Sequence, residues 1–331
     1  VTRLIDAYDA ALFDLDGVLY LGPQPVPGAV EALQELERDH VRVLYVTNNA
    51  AREARVVIEQ LRSLGYAADE HNVLTSAQVA VAALSEQLAA GTKVLCAGSP
   101  NLAGLLERAG LEVVYSAGDR PAAVIQGYHP KLDWRMLDEV ALAIQGGATW
   151  YATNDDASRP TDRGLVPGVG GAISVIRLVV GGEPIIFGKP HRPMLAQAMS
   201  RAGADRPIFV GDRLDTDVSG ANGAGIDSLL VFTGAHGKFD LLRAAPELRP
   251  THIGAGVAAL LAEPRICTVS DDRGLCHGQE VVVRDQRAEL VGPVPQTEQG
   301  QFDAVWAAVQ LAWTRPGTDC ADLLDALSLV R

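Results

Sequence analysis

The chain has 331 residues, 48% hydrophobic and 21% charged, with 41 acidic against 28 basic side chains and a formal net charge of −13. That length holds about two domains with cores of their own, and the composition excludes an unstructured, solvated chain. The acid surplus excludes a general nucleic-acid binder, because a phosphate backbone is normally met by Lys and Arg; a local cation can still receive a small anion.

The opening stretch VTRLIDAYDA lacks the basic patch and apolar core of a secretory signal, and no apolar run approaches the roughly 20 residues that span a bilayer. Four cysteines, Cys96, Cys267, Cys276 and Cys320, contain no C-x-x-C pair. They suit a reducing compartment, so a cytoplasmic protein without membrane insertion is expected. AALFDL (10–15) predicts a buried strand, Val30, Leu33 and Leu36 a helix, VRVLYVTN (41–48) a second strand, and Val56, Val57, Leu61 and Leu64 a helix ending at Gly65. Strand, helix, strand, helix at this spacing implies parallel βαβ units with right-handed crossovers.

Residues 77–184 then carry strand-like runs of their own, KVLCAG, AAVIQGY and ATWYATN, and are expected to form an inserted α/β cap domain rather than a loop. From PIIFG (184–188) the first rhythm resumes: Met194, Leu195 and Met199 at helical spacing, PIFVGD, a glycine-rich turn, and SLLVFTG. The expected fold is therefore α/β: a Rossmann-like doubly wound parallel-sheet core built from residues 1–76 and 185–264, with the cap between them. Residues 265–331 make a C-terminal α+β extension: EVVVRD and AELVG read as strands, Phe302, Val305, Trp306, Val309 and Trp313 share a helix face, and ADLLDALSLV reads as a second helix. About 65 residues are marginal for independent stability, so the extension is expected to pack on the core or on a partner subunit. Cys267, Cys276 and His277 fall short of a closed zinc site and are read as ordinary thiols with a neighbouring histidine.

Asp14 and Asp16 stand two positions apart at the end of the first strand, where alternation points them the same way. Like charges buried together need a positive partner, and Gly17 lets the chain turn so that both reach the carboxyl edge of the sheet, where open α/β sheets bind ligands. GDRLDTD repeats the arrangement: Asp212 follows an apolar run as Asp14 does and is read as a metal ligand, while Asp215 is read as a turn residue or helix cap. Two acidic loops at strand ends make an oxygen-only site suited to Mg²⁺. LYVTNN offers Thr47 and Asn48 at a strand end, either as capping residues or as donors to an anion. Lys189, held between Gly188 and Pro190, is placed to balance acidic groups.

These four stretches in this order resemble the haloacid dehalogenase superfamily of phosphotransferases: DLDGVLY as its first motif, Thr47 the second, Lys189 the third and GDRLDTD the fourth. VTNNAAR, GKP and VGDRLDTDVSGANGAGIDSLLVFTG are similar to the NagD-like branch, which carries a large cap between the second and third motifs. The resemblance covers about residues 8–262 and stops before the extension. It implies a Mg²⁺-dependent phosphatase with Asp14 as nucleophile and Asp16 as general acid and base. It also implies a metal held by Asp14, the Asp16 carbonyl and Asp212, with Asp217 supporting it from outside. Thr47, the Asn48 backbone and Lys189 would hold the phosphoryl group.

The cap stretch YATNDDASRPTDRGLVPGVGG resembles the family's specificity loop, making Asn154, Asp155 and Arg159 candidates to face the leaving group. A capped site admits small phosphate esters, among them glycerol 3-phosphate, 2-phosphoglycolate and p-nitrophenyl phosphate, and a homo-oligomer through cap or extension is compatible with the branch. Two places depart from it: Asp39-His40 stands where relatives often have a glycine turn, and His129 stands where an acidic residue is common. The readings from another class are a phosphorylated signalling module, which is shorter and has no inserted cap, and a binding protein on a catalytically retired scaffold, against which the intact Asp14, Asp16, Lys189 and Asp212 speak. In the extension no loop cradles a coenzyme A pyrophosphate, so packing, oligomerisation or regulation is expected there rather than catalysis.

Overall fold

The computed structural model, which describes residues 2–161 and 163–331, places four parallel strands in the first of two units, residues 1–43 with 202–331. Their order is His252–Gly254, Asp227–Val231, Pro207–Gly211, Ala10–Phe13. AALF and PIFVG are buried at every position, as expected of strands covered on both faces. Phe13 lies opposite Val210, so the chain leaves both strands at the same edge, and the acidic residues follow there.

Helix Ala29–Arg38 buries Leu33 and Leu36 as its periodicity predicts, together with Ala29 and Ala32, while Val30 is only partly buried. It ends at Asp39, and His40 takes a left-handed conformation with φ of 59° while Val41 N–H returns to Leu36 O at 2.9 Å. Glycine is the residue that this helix end favours. Substituting His40→Gly is expected to raise stability by up to about 1 kcal/mol, strain relief outweighing the extra entropy of the unfolded chain. A urea midpoint unchanged or lowered by the substitution would refute this account.

The extension belongs to the same unit. Four antiparallel strands, Cys267–Ser270, Arg273–Cys276, Gln279–Arg284 and Arg287–Leu290, form a meander in chain order. Sequence periodicity identified only the last two. Two of its hairpins turn through residue pairs with positive φ, His277-Gly278 and Asp285-Gln286, which match the right-handed twist of the strands. Helix Glu298–Thr314 packs on the meander and helix Ala321–Ala326 follows. One apolar cluster joins Phe302, Trp306 and Leu324 of the extension to Leu230, Phe232 and Ile253 of the parallel-sheet layer. The extension therefore packs on the core layer of its own chain.

The second unit, residues 44–201, contains the rest of strand Arg42–Thr47, paired in parallel with Val73–Thr75, and helix Ala54–Ser63. It also contains a five-stranded parallel sheet ordered Glu112–Val114, Lys93–Ala97, Ala123–Gln126, Thr149–Ala152, Ile185–Ile186. Numbered along the chain this is 2-1-3-4-5, a doubly wound order. Its core gathers Leu95, Val124, Val140, Trp150, Ile173 and Ile176. Among the described residues no helix is long and apolar enough to cross a membrane.

Candidate active site

In the first unit, Asp14, Asp212 and Asp217 are buried and present carboxylate oxygens all within 4.8 Å of one another. The first two follow strand ends. The third sits in Leu214–Val218, a π-helical segment in which Val218 N–H reaches back five residues to Arg213 O at 3.1 Å. That winding turns Asp217 inward, where Arg213 N–H donates to its Oδ2 at 3.1 Å, and leaves Asp215 outside, paired with the Arg213 guanidinium at 2.7 Å. Asp217 thus stands beside Asp14 and Asp212, and Asp215 is a surface partner of Arg213.

Close packing makes the cluster. Gly17 has a φ of 90°, and a Cβ there would collide with the Asp212 carboxylate; a Cβ on Gly234 would do the same from the other side. Ala235 N–H donates to Asp212 Oδ2 at 2.5 Å, and Thr233 Oγ1 donates to Gly17 O at 2.5 Å. Three buried carboxylates so close repel one another and require a cation. An oxygen-only donor set of this kind suits a hard divalent ion, so the residues present fit one. The strand geometry that was to align Asp14 with Asp16 ends at Phe13: Asp16 is exposed, lies outside the group of three, and accepts a hydrogen bond from Tyr20 Oη at 3.4 Å.

In the second unit, Thr47, Asn48 and Lys189 are all buried. The Asn48 side chain is fully engaged: Nδ2 donates to Asp156 Oδ1 at 3.0 Å and to Lys189 O at 2.9 Å, while Oδ1 accepts Lys189 N–H at 2.8 Å. Its carbonyl accepts from Ser76 Oγ at 2.7 Å and from Asn154 Nδ2 at 2.8 Å. Thr47 Oγ1 accepts Asn49 N–H at 3.1 Å, and Lys189 Nζ lies 3.4 Å from Val46 O. Asp156 and Ser76 were not singled out by sequence reasoning, since nothing local marks a residue whose partner lies 108 or 28 positions away.

The cap candidates have partners within the unit. Asn154 is tied to Asn48, Asp155 Oδ2 lies 3.2 Å from His191 Nε2, and the Arg159 guanidinium stacks on the Tyr128 ring at 4.6 Å. His129 Nδ1 accepts Lys131 N–H at 3.1 Å within its own turn. In the extension, Cys267 and Cys276 face each other across two strands as free thiols, and the hydrogen-bonding contact to Cys276, with burial second, raises the pKa of Cys267. His277 Nδ1 lies 3.6 Å from Asp303, and among the described residues these groups do not gather into a cation site.

The family described as haloacid dehalogenase-like hydrolase matches residues 11–112, and the related HAD-hydrolase-like family matches residues 186–260. A D-glycerol 3-phosphate phosphatase from Mycobacterium tuberculosis is 42% identical over 267 residues, covering 81% of this chain and 75% of its own. An acid sugar phosphatase from Staphylococcus epidermidis is 32% identical, covering 77% and 98%. Among solved structures, a glycerol phosphate phosphatase from M. tuberculosis in complex with magnesium superposes with a TM-score of 0.85 at 35% identity, over 99% of this chain and 98% of that one. A p-nitrophenyl phosphatase from Archaeoglobus fulgidus gives 0.72 at 26% identity, over 77% and 98%.

Proposed function

The chain belongs to the haloacid dehalogenase-like hydrolases, and from that membership we propose that it hydrolyses small phosphomonoesters with Mg²⁺, glycerol 3-phosphate first among them. The observation that carries the proposal is the buried trio Asp14, Asp212 and Asp217 with the exposed Asp16 two residues beyond the first of them. Two carboxylates so close in sequence and so different in environment suit two different tasks.

Asp14 attacks phosphorus; its carboxylate oxygen forms the new P–O bond while the bond to the alcohol oxygen breaks. Asp16, in contact with solvent, protonates the departing alkoxide. It then takes a proton from the water that attacks the aspartyl-phosphate, and inorganic phosphate leaves with Asp14 restored. Asp14, Asp212, Asp217 and the Asp16 carbonyl would hold Mg²⁺, which when bound neutralises charge on the phosphoryl oxygens. In the family mechanism the residues that match Thr47 and Asn48 hold the phosphoryl group and the one that matches Lys189 offsets acidic charge.

The domain division proposed with this function is a core of 1–76 and 185–264, a cap of 77–184 and an extension of 265–331. The separate sheet running from Lys93 to Ile186 supports the cap. Asn154, Asp155 and Arg159 are proposed to shape its selectivity through the contacts described above. A cytoplasmic location, supported by four free cysteines, and a homo-oligomer complete the reading.

The test is a phosphate-release screen over glycerol 3-phosphate, 2-phosphoglycolate, sugar phosphates and p-nitrophenyl phosphate, with Mg²⁺ and with EDTA. Glycerol 3-phosphate should give the highest kcat/KM, and chelation should abolish turnover of every ester. Full activity in EDTA would overturn the mechanism; a higher kcat/KM for another ester would overturn the substrate alone.

A further inference from the structure

The segment Thr233–Gly237 holds the cation cluster from one side. Ala235 N–H binds the Asp212 carboxylate, His236 N–H donates to Asp212 O at 3.2 Å, His236 Nδ1 accepts Leu214 N–H at 2.8 Å, and Thr233 holds Gly17. A shift of this segment would move Asp212 and the turn after Asp14 together.

The segment is itself fixed by the extension. Lys238, which begins the next helix, is buried, and its Nζ donates to Leu327 O at 2.8 Å and Val330 O at 2.7 Å. Its N–H donates to Arg331 O at 2.8 Å, and the Arg331 guanidinium donates to Gly234 O. Residues 327–331 are anchored in turn, since Leu329 N–H donates to Gln301 Oε1 at 2.8 Å on the long extension helix. Lys238 engages carbonyls rather than a carboxylate. Burial lowers its pKa, with Asp325 opposing the shift. A buried ammonium is held at a desolvation penalty, so stability alone is a poor reason for a lysine here.

We infer that residues 327–331, tied through Lys238 to Thr233–Gly237, position Asp212 and so set the affinity of the acidic trio for its divalent cation. Lys238 is a positioning residue, and the extension acts on the site from outside it. The inference rests on the proposed reading of Asp14, Asp212 and Asp217 as the cation site. Outer contacts that orient metal ligands typically change affinity by about 10–100-fold when removed.

The experiment uses the full chain and Mn²⁺ as the probe, with free Mn²⁺ measured by electron paramagnetic resonance. Lys238→Met should weaken Mn²⁺ binding by about tenfold, the lower end of that range. It should raise the Mg²⁺ concentration for half-maximal activity in proportion, with KM for the ester unchanged at saturating Mg²⁺. Lys238→Arg should recover most of the affinity. Arg331→Met, at an exposed position, removes only the tie to Gly234 and provides a second variant if Lys238→Met does not fold; it should weaken binding by a smaller factor. A folded Lys238→Met, or Arg331→Met in its place, with wild-type Mn²⁺ affinity overturns the inference. Wild-type protein that binds Mn²⁺ no better than Asp212→Asn overturns instead the reading of the trio on which it rests.

Discussion

Asp14→Asn is expected to lower phosphate release by about four orders of magnitude or more, as loss of a nucleophile typically does. The amide has the size of the carboxylate, and the backbone N–H of residue 14 still reaches Val210 O at 2.9 Å, so the strand end keeps its place. What the variant lacks is the anionic oxygen proposed to attack phosphorus. Rapid acid quench with radiolabelled substrate should trap an aspartyl-phosphate on the wild-type enzyme and none on the variant. The same substitution removes one of three mutually repelling buried charges. Without metal it should therefore melt higher than wild type, by about 2–4 °C for each kcal/mol of relief in a unit of this size. Slower turnover combined with a lower metal-free melting temperature would point to misfolding and count against the assignment.

The second large effect concerns stability. Trp306→Ala should destabilise the first unit by about 3–5 kcal/mol, the usual range for deleting a buried aromatic side chain. Trp306 is 2% exposed, packs edge-on against Trp313 at 5.6 Å, and belongs to the cluster shared by the extension and the parallel-sheet layer. Because the cluster is shared, one cooperative transition should move, monitored by strand and helix signals alike. Removing residues 265–331 strips that cover from Leu230, Phe232 and Ile253 and should yield aggregated protein that binds a hydrophobic dye. A soluble, active truncated chain would contradict the shared core.

The strand ends that present Asp14 and Asp212 were legible because fully buried parallel strands read as continuous apolar runs, and a charge closing such a run is conspicuous. Asp217 was harder. Its inward direction comes from a π-helical turn, and neither period 2 nor period 3.6 describes that winding. The first two strands of the extension were silent for a different reason: in Arg273–Cys276 the inward positions are Gly274 and Cys276, while Leu275 faces solvent. The inward position 274 takes glycine because a Cβ there would strike the backbone of Ala307 on the covering helix. The usual apolar-in pattern is therefore inverted. The partners of Asn48 were out of reach of local reasoning because Asp156 and Lys189 lie 108 and 141 residues away.

That one amide grips both Asp156 and Lys189 has a bearing on how such enzymes diversify. The long stretch of chain between Asn48 and Lys189 is clasped at its two ends by a few hydrogen bonds, so the polypeptide between them can lengthen, shorten or change sequence while the clasp stays closed. Substitutions can then accumulate in that interior without disturbing Asn48 and Lys189, the residues proposed to serve the phosphoryl group. A lineage can exchange its substrate while inheriting its chemistry.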